Sequence, residues 1–143
     1  LSKIITDPYD MTMCVGTPLF MAPEMFIVNS ETYGFPVDVY AYAMILYLMF
    51  VKSINYGSLS SPRRFSPFQS LIRKVCRGVR PKRYSCIPDC YWELIERCWK
   101  QNPEERPTFA EITEILKDDQ YVLHDCGEPD LNEIHRYQNE IDN

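Results

Sequence analysis

The sequence predicts a mainly α fold built around one buried central helix. Three observations carry that prediction. After Asp38, the run from Pro36 to Val51 holds no charge for thirteen residues. Apolar residues recur at helical spacing through Phe68, Leu71, Ile72 and Val75, and again through Leu94, Ile95, Cys98 and Trp99. No stretch rich in strand-forming residues interrupts them.

The central run is too short to cross a bilayer, which takes about 20 apolar residues. It exceeds the roughly 4–8 residues of a usual strand. Ala41, Ala43, Met44, Leu46, Leu48 and Met49 are helix formers. A helix apolar on every side is expected to be buried on every side. Asp38 sits near its start, where a carboxylate can cap free N–H groups and suits the positive end of the helix dipole.

The other elements follow in order. Residues 1–13 are polar, with Asp7, Pro8 and Asp10, and read as an exposed loop. The segment GTPLFMAPE, residues 16–24, is a shaped loop leading into a short helical turn over 22–26. Residues 29–35 form another loop, and Pro36 opens the central helix where its missing N–H does no harm. Residues 52–65 are a Ser-rich loop carrying Arg63 and Arg64. Ser66 and Pro67 then mark an N-cap and first turn, and Gly78 with Pro81 marks the stop. Pro88-Asp89 opens the next helix, which ends before Asn102-Pro103. Thr108 and Glu111 have the spacing of a capping box, ahead of a helix whose inner face is Phe109, Ile112, Ile115 and Leu116. From Lys117 the composition turns acidic and polar, with one further helix expected over 130–141 on Leu131, Ile134 and Ile141.

A chain of 143 residues, 45% hydrophobic, suits one domain or one large lobe of a bigger one. Its net charge of -5 argues against a nucleic-acid partner. No signal peptide or membrane segment is visible, so the expectation is a cytoplasmic, intracellular protein without a membrane partner. The first residue is Leu1, which reads as a chain cut from a longer one. Six cysteines, at 14, 76, 86, 90, 98 and 126, include no Cys-x-x-Cys pair. His124 lies near Cys126, but no second pair matches zinc spacing. The cysteines are therefore expected to be reduced and packed as small hydrophobes, and no metal site is expected.

Several ordered motifs resemble the protein kinase family. Ala22-Pro23-Glu24 matches the Ala-Pro-Glu that ends its activation segment, with Gly16-Thr17 at family spacing upstream. Asp38-Val39-Tyr40 resembles the Asp-Val-Trp that opens the family's central helix. Cys98-Trp99, Pro103 and Arg106-Pro107-Thr108-Phe109 resemble the ending shared by tyrosine kinases and tyrosine-kinase-like kinases. Leu1-Ser2-Lys3 looks like the residues that follow Asp-Phe-Gly. The resemblance covers about residues 1–117, leaving 118–143 as an acidic C-terminal tail.

The resemblance implies the rear part of a kinase large (C-terminal) lobe, from the activation segment onward. It implies a pair between Glu24 and Arg106, an isolated charge among apolar neighbours being costly. It implies that Asp38 anchors the catalytic-loop backbone and that Thr17 supports the catalytic base. Gly16, Thr17, Pro18 and Leu19 would meet the substrate, and GTPLF favours transfer to Ser/Thr hydroxyls. Thr12, Tyr9 and Thr6 are the hydroxyls in the window of the activating phosphosite.

The departures define what the chain lacks. Its glycines, at 16, 34, 57, 78 and 127, form no Gly-x-Gly-x-x-Gly loop. No Val-Ala-Ile-Lys, His-Arg-Asp or Asp-Phe-Gly occurs. ATP and magnesium are therefore expected for a longer parent and not for this fragment, which is expected to be inactive alone. Tyr40 and Ala43 replace the family's usual Trp and Gly as core exchanges. The implied partners are a protein substrate and the missing N-terminal part of the kinase domain. The alternative reading is a non-catalytic, pseudokinase-like interaction module. The residues before Leu1 separate the two readings.

Overall fold

A computed structural model describes residues 3–4, 18–28, 34–56, 66–122 and 139. The chain divides into two compact units, Leu1–Pro107 and Thr108–Asn143.

The first unit is mainly helical. Its central helix α1 spans Phe35–Val51, α2 spans Pro67–Cys76 and α3 spans Asp89–Cys98. Short 3-10 turns lie before α1, at Pro18–Phe20 and Pro23–Phe26, and after α3, at Pro103–Glu105. One face of α1 packs on α3 and on the turns at Pro18–Phe20 and Pro103–Glu105, while α2 packs on the turn at Pro23–Phe26. Phe26, Tyr40, Met44, Tyr47, Ile72 and Leu94 are fully buried in the resulting core. Tyr47 ties the α2–α3 connection to α1, because its hydroxyl donates to Lys82 O at 2.7 Å.

Three sequence expectations need correction here. The central helix is not buried on every side: Phe35, Ile45 and Met49 are 80%, 53% and 67% exposed. With Asp38 and Tyr42 they fall on one stripe at helical spacing. Period and composition report how apolar a helix is, not whether the chain supplies partners for every face. Asp38 does not cap the helix either. The N-cap is Gly34, no side chain caps it, and Asp38 lies exposed within the first turn. Its carboxylate still faces the positive end of the dipole. Finally, the segment read as an exposed loop contributes β1, Lys3–Ile4, which pairs antiparallel with β2, Ile27–Val28. Two-residue strands leave no periodic trace in a sequence.

α2 has a full capping box. Ser66 Oγ accepts from the Gln69 N–H at 3.2 Å, and Gln69 Oε1 accepts from the Ser66 N–H at 3.1 Å. Gly78 follows the helix at φ +89°, a left-handed conformation that side chains rarely adopt, which accounts for glycine there.

The second unit contains α4, Phe109–Leu116, and a 3-10 turn at Asp119–Tyr121. Thr108 and Glu111 form the reciprocal box: Oγ1 accepts from the Glu111 N–H at 3.2 Å and the Thr108 N–H donates to Glu111 Oε2 at 2.8 Å. Ile112 is buried, Ile115 and Leu116 are half-buried, and Phe109 is 41% exposed. The apolar stripe is thus open at its N-terminal end, so Phe109 does not belong to an inner face. The helix expected over 130–141 lies outside the described residues except for 139, which is helical.

Candidate functional site

A buried, multiply hydrogen-bonded centre of the first unit forms around Arg106. Two prolines shape its surroundings. Pro23 opens the 3-10 turn that carries Glu24, and Pro103 opens the turn that ends at Arg106. The Arg106 side chain has no solvent exposure, and that of Glu24 has 18%. The guanidinium grips the carboxylate with both arms, Nη1 to Oε1 at 2.6 Å and Nη2 to Oε2 at 2.9 Å. Nη1 also donates to Pro36 O at 2.8 Å, and Nε donates to Lys100 O at 2.9 Å. One side chain therefore fastens the Ala-Pro-Glu turn, the first turn of α1 and the end of α3. A buried charge is tolerable only when paired and hydrogen-bonded in this way.

Tyr40 completes the centre. Its ring lies between two cations, with Arg106 at 5.3 Å and Arg80 at 5.1 Å from the ring centroid. Its hydroxyl is buried and has no hydrogen-bond partner among the described residues. Tyr56 lies beside it but directs its own hydroxyl to Met44 Sδ at 3.9 Å. Burial raises the Tyr40 phenol above its ordinary range, and Arg80, the adjacent Tyr56 hydroxyl and Arg106 oppose that shift only in part. Burial likewise pushes the Cys98 thiol up to about 12. Cys76, Cys86, Cys90 and Cys98 form no disulfide, and of these four Cys98 alone is buried.

Arg80 was not singled out from the sequence, although it organises the α2–α3 connection. Its donors reach Trp99 O at 3.0 Å, Val75 O at 3.2 Å, Val79 O at 3.0 Å and Gln101 Oε1 at 2.8 Å. Gln101 returns a bond to Cys76 O at 3.0 Å, closing the end of α2 onto the end of α3. An arginine beside a proline gives no local signal for such a role.

Of the other residues named from the sequence, the described Pro18 and Leu19 do not join this centre. Pro18 and Leu19 are half-buried in a turn packed on α1. Gly16, Thr17, Thr12, Tyr9 and Thr6 lie outside the described residues. Among the described residues, no group of three or more His, Cys, Asp or Glu side chains could hold a metal ion. The described glycines serve helix ends, Gly34 as the N-cap of α1 and Gly78 after α2. The described residues thus include neither a glycine-rich loop nor a cluster of three metal-ligating side chains. No described helix is long and apolar enough to cross a membrane.

The fold and its arginine centre define a partial kinase lobe, and comparison with known proteins gives the class directly. The protein kinase domain family matches residues 1–119, and the chain belongs to that family. It is similar to serine/threonine-protein kinase STY17 of Arabidopsis thaliana, 34% identical over 81% of this chain and 19% of the relative. It resembles the RGS domain-containing serine/threonine-protein kinase A of Dictyostelium discoideum, 34% identical over 79% of this chain and 9% of that one. It also resembles a dual serine/threonine and tyrosine protein kinase of Tetraodon nigroviridis, 33% identical over 79% of this chain and 12% of the relative. The chain thus spans about a fifth or less of the length of these curated relatives.

Proposed function

We propose that this chain is the rear part of the large lobe of a tyrosine-kinase-like Ser/Thr kinase, from the activation segment onward. Residues 1–117 are the kinase part and 118–143 an acidic tail. The longer protein transfers the γ-phosphate of ATP to protein hydroxyls, using magnesium. The observation that carries this reading is the Arg106 clamp. It fixes the Ala-Pro-Glu turn to the start of α1, which supports a role for the preceding segment in presenting a substrate. Relatives described as serine/threonine or dual-specificity kinases support the hydroxyl acceptor.

The open stripe of α1 supports a missing partner. Phe35, Ile45 and Met49 offer an apolar surface beside the carboxylate of Asp38. The N-terminal part of a kinase domain, with its catalytic loop, is the segment we assign to that stripe, and Asp38 is its anchor. In this reading Gly16, Thr17, Pro18 and Leu19 present the substrate, and Thr17 supports the base. Thr12 is the first candidate for the activating phosphate, ahead of Tyr9 and Thr6. A phosphate there adds about -1.5 to -2 charges, enough to order a loop against a basic partner. The protein works inside the cell, where ATP is available.

The test is phosphotransfer by the longer gene product, followed by identification of the labelled amino acid. Label on serine or threonine is the expected result. A longer product that holds substrate proteins but transfers nothing would favour a pseudokinase-like interaction module.

A further inference from the structure

The α2–α3 connection and the end of α3 enclose a second feature, apart from any phosphotransfer chemistry. It is a cleft of about 280 Å³ whose walls include Trp92, Trp99, Pro81, Arg80, Lys100 and Glu96. The indoles meet edge to face at 5.5 Å and give the cleft an aromatic wall. Its volume falls below the roughly 300–1,000 Å³ of sites for whole small ligands. It suits a single large side chain.

Cations outnumber acids around the cleft, although Glu96 stands on its wall. Arg80 spends its donors on three backbone carbonyls and the Gln101 amide oxygen, all neutral, so among the described residues no carboxylate pairs with it. Lys100 and Glu96 stand one helical turn apart on the wall, yet no ion pair joins them among the described residues. The adjoining segment 73–83 holds six cations and no acidic residue, in a chain whose net charge is -5. Arg77, Lys82 and Arg83 of that segment are exposed, and Arg83 lies 5.8 Å over the Trp92 ring, at the rim of the cleft. Arg83 is paired with Asp89, but Arg77 and Lys82 enter no ion pair among the described residues.

We propose that this cleft docks an acidic segment of a partner protein, with one aromatic side chain laid in the cleft against the tryptophan wall and its carboxylates on the surrounding cations. An aromatic anchor in a concave site, ringed by complementary charge, is the arrangement that concentrates binding energy in protein contacts. A basic segment would meet Arg77, Arg80, Lys82 and Lys100 and be repelled.

The chain holds two tryptophans, and both line the cleft, so their two indole N–H signals report its occupancy. The experiment is a magnetic-resonance titration of the chain with a blocked peptide carrying one phenylalanine among glutamates. Matched peptides replace the glutamates by lysine or the phenylalanine by alanine, and a single-stranded oligonucleotide of equal charge is a further probe. Both indole signals are expected to move with the phenylalanine–glutamate peptide, and added salt is expected to weaken that binding. In the double variant Arg77→Glu, Lys100→Glu, both sites being exposed, affinity should fall at least about tenfold. Unmoved indole signals would overturn the proposal. Equal binding of the lysine peptide, the alanine peptide or the oligonucleotide would do the same, the last by showing a plain polyanion surface. Undiminished affinity in the charge-reversed variant would also overturn it.

Discussion

Arg106 holds both carboxylate oxygens of Glu24, at 2.6 and 2.9 Å, across 82 positions of sequence. The same guanidinium bonds to the start of α1 and to the end of α3. Removing either partner leaves the other charge in a largely dry site. Glu24→Ala and Arg106→Ala are each expected to cost about 3–5 kcal/mol. Arg106→Lys should recover only part of that, because an ammonium cannot make the two-armed contact. Urea unfolding measures it. A loss under about 1 kcal/mol, typical of a surface pair, would show that the pair contributes little.

Tyr40 separates ring from hydroxyl. Its ring lies between Arg80 and Arg106, while its hydroxyl makes no well-formed hydrogen bond among the described residues. Tyr40→Phe keeps the stack and deletes the orphan, so stability should stay within about 1 kcal/mol of wild type or rise. Tyr40→Leu loses the stack and opens space, at roughly 2–4 kcal/mol. Equal losses in the two variants would mean that the hydroxyl, not the ring, matters.

How much of this was legible in the sequence differs by feature. The existence of α1, α2, α3 and α4 follows from apolar period and helix-end chemistry, and all four stand near the positions read from sequence. The Thr108–Glu111 box was legible because its partners are three residues apart. The Ser66–Gln69 box has the same spacing, but only its cap was read. The open stripe of α1 was not legible, since it depends on what packs beside the helix. Glu24 and Arg106 were joined only through family resemblance, because nothing local links positions so far apart. The Arg80–Tyr40 stack and the two-residue strands left no pattern at all.

Both boxes should be worth measurable stability. Ser66→Ala and Thr108→Ala are each expected to cost about 1 kcal/mol, within a range of roughly 0.5–2. Thr108→Asp should retain most of it, since a carboxylate also accepts from the first-turn N–H groups. Circular dichroism during thermal unfolding reads the effect, and an unchanged midpoint in both alanine variants would contradict it.

The buried acids set an alkaline limit. Burial keeps the Tyr40, Tyr47 and Tyr56 phenols protonated above their ordinary range and pushes the Cys98 thiol up to about 12. Above about pH 9–10 the unfolded chain releases protons that the folded chain keeps. The contribution of these groups is therefore complete below that range and is lost as pH rises through their folded values. Urea midpoints should decline from about pH 9 upward, and Cys98→Ala should decline less steeply. A midpoint that holds or climbs with alkalinity would contradict the burial argument.

On the proposed reading, this chain carries the clamp and substrate side of a kinase lobe and does not hold the nucleotide by itself. Titration calorimetry of magnesium-ATP into the purified chain tests it most directly. No saturable heat is expected, since the described residues offer neither a phosphate-cradling loop nor a metal-ligand cluster. A one-to-one site of micromolar affinity would contradict the account.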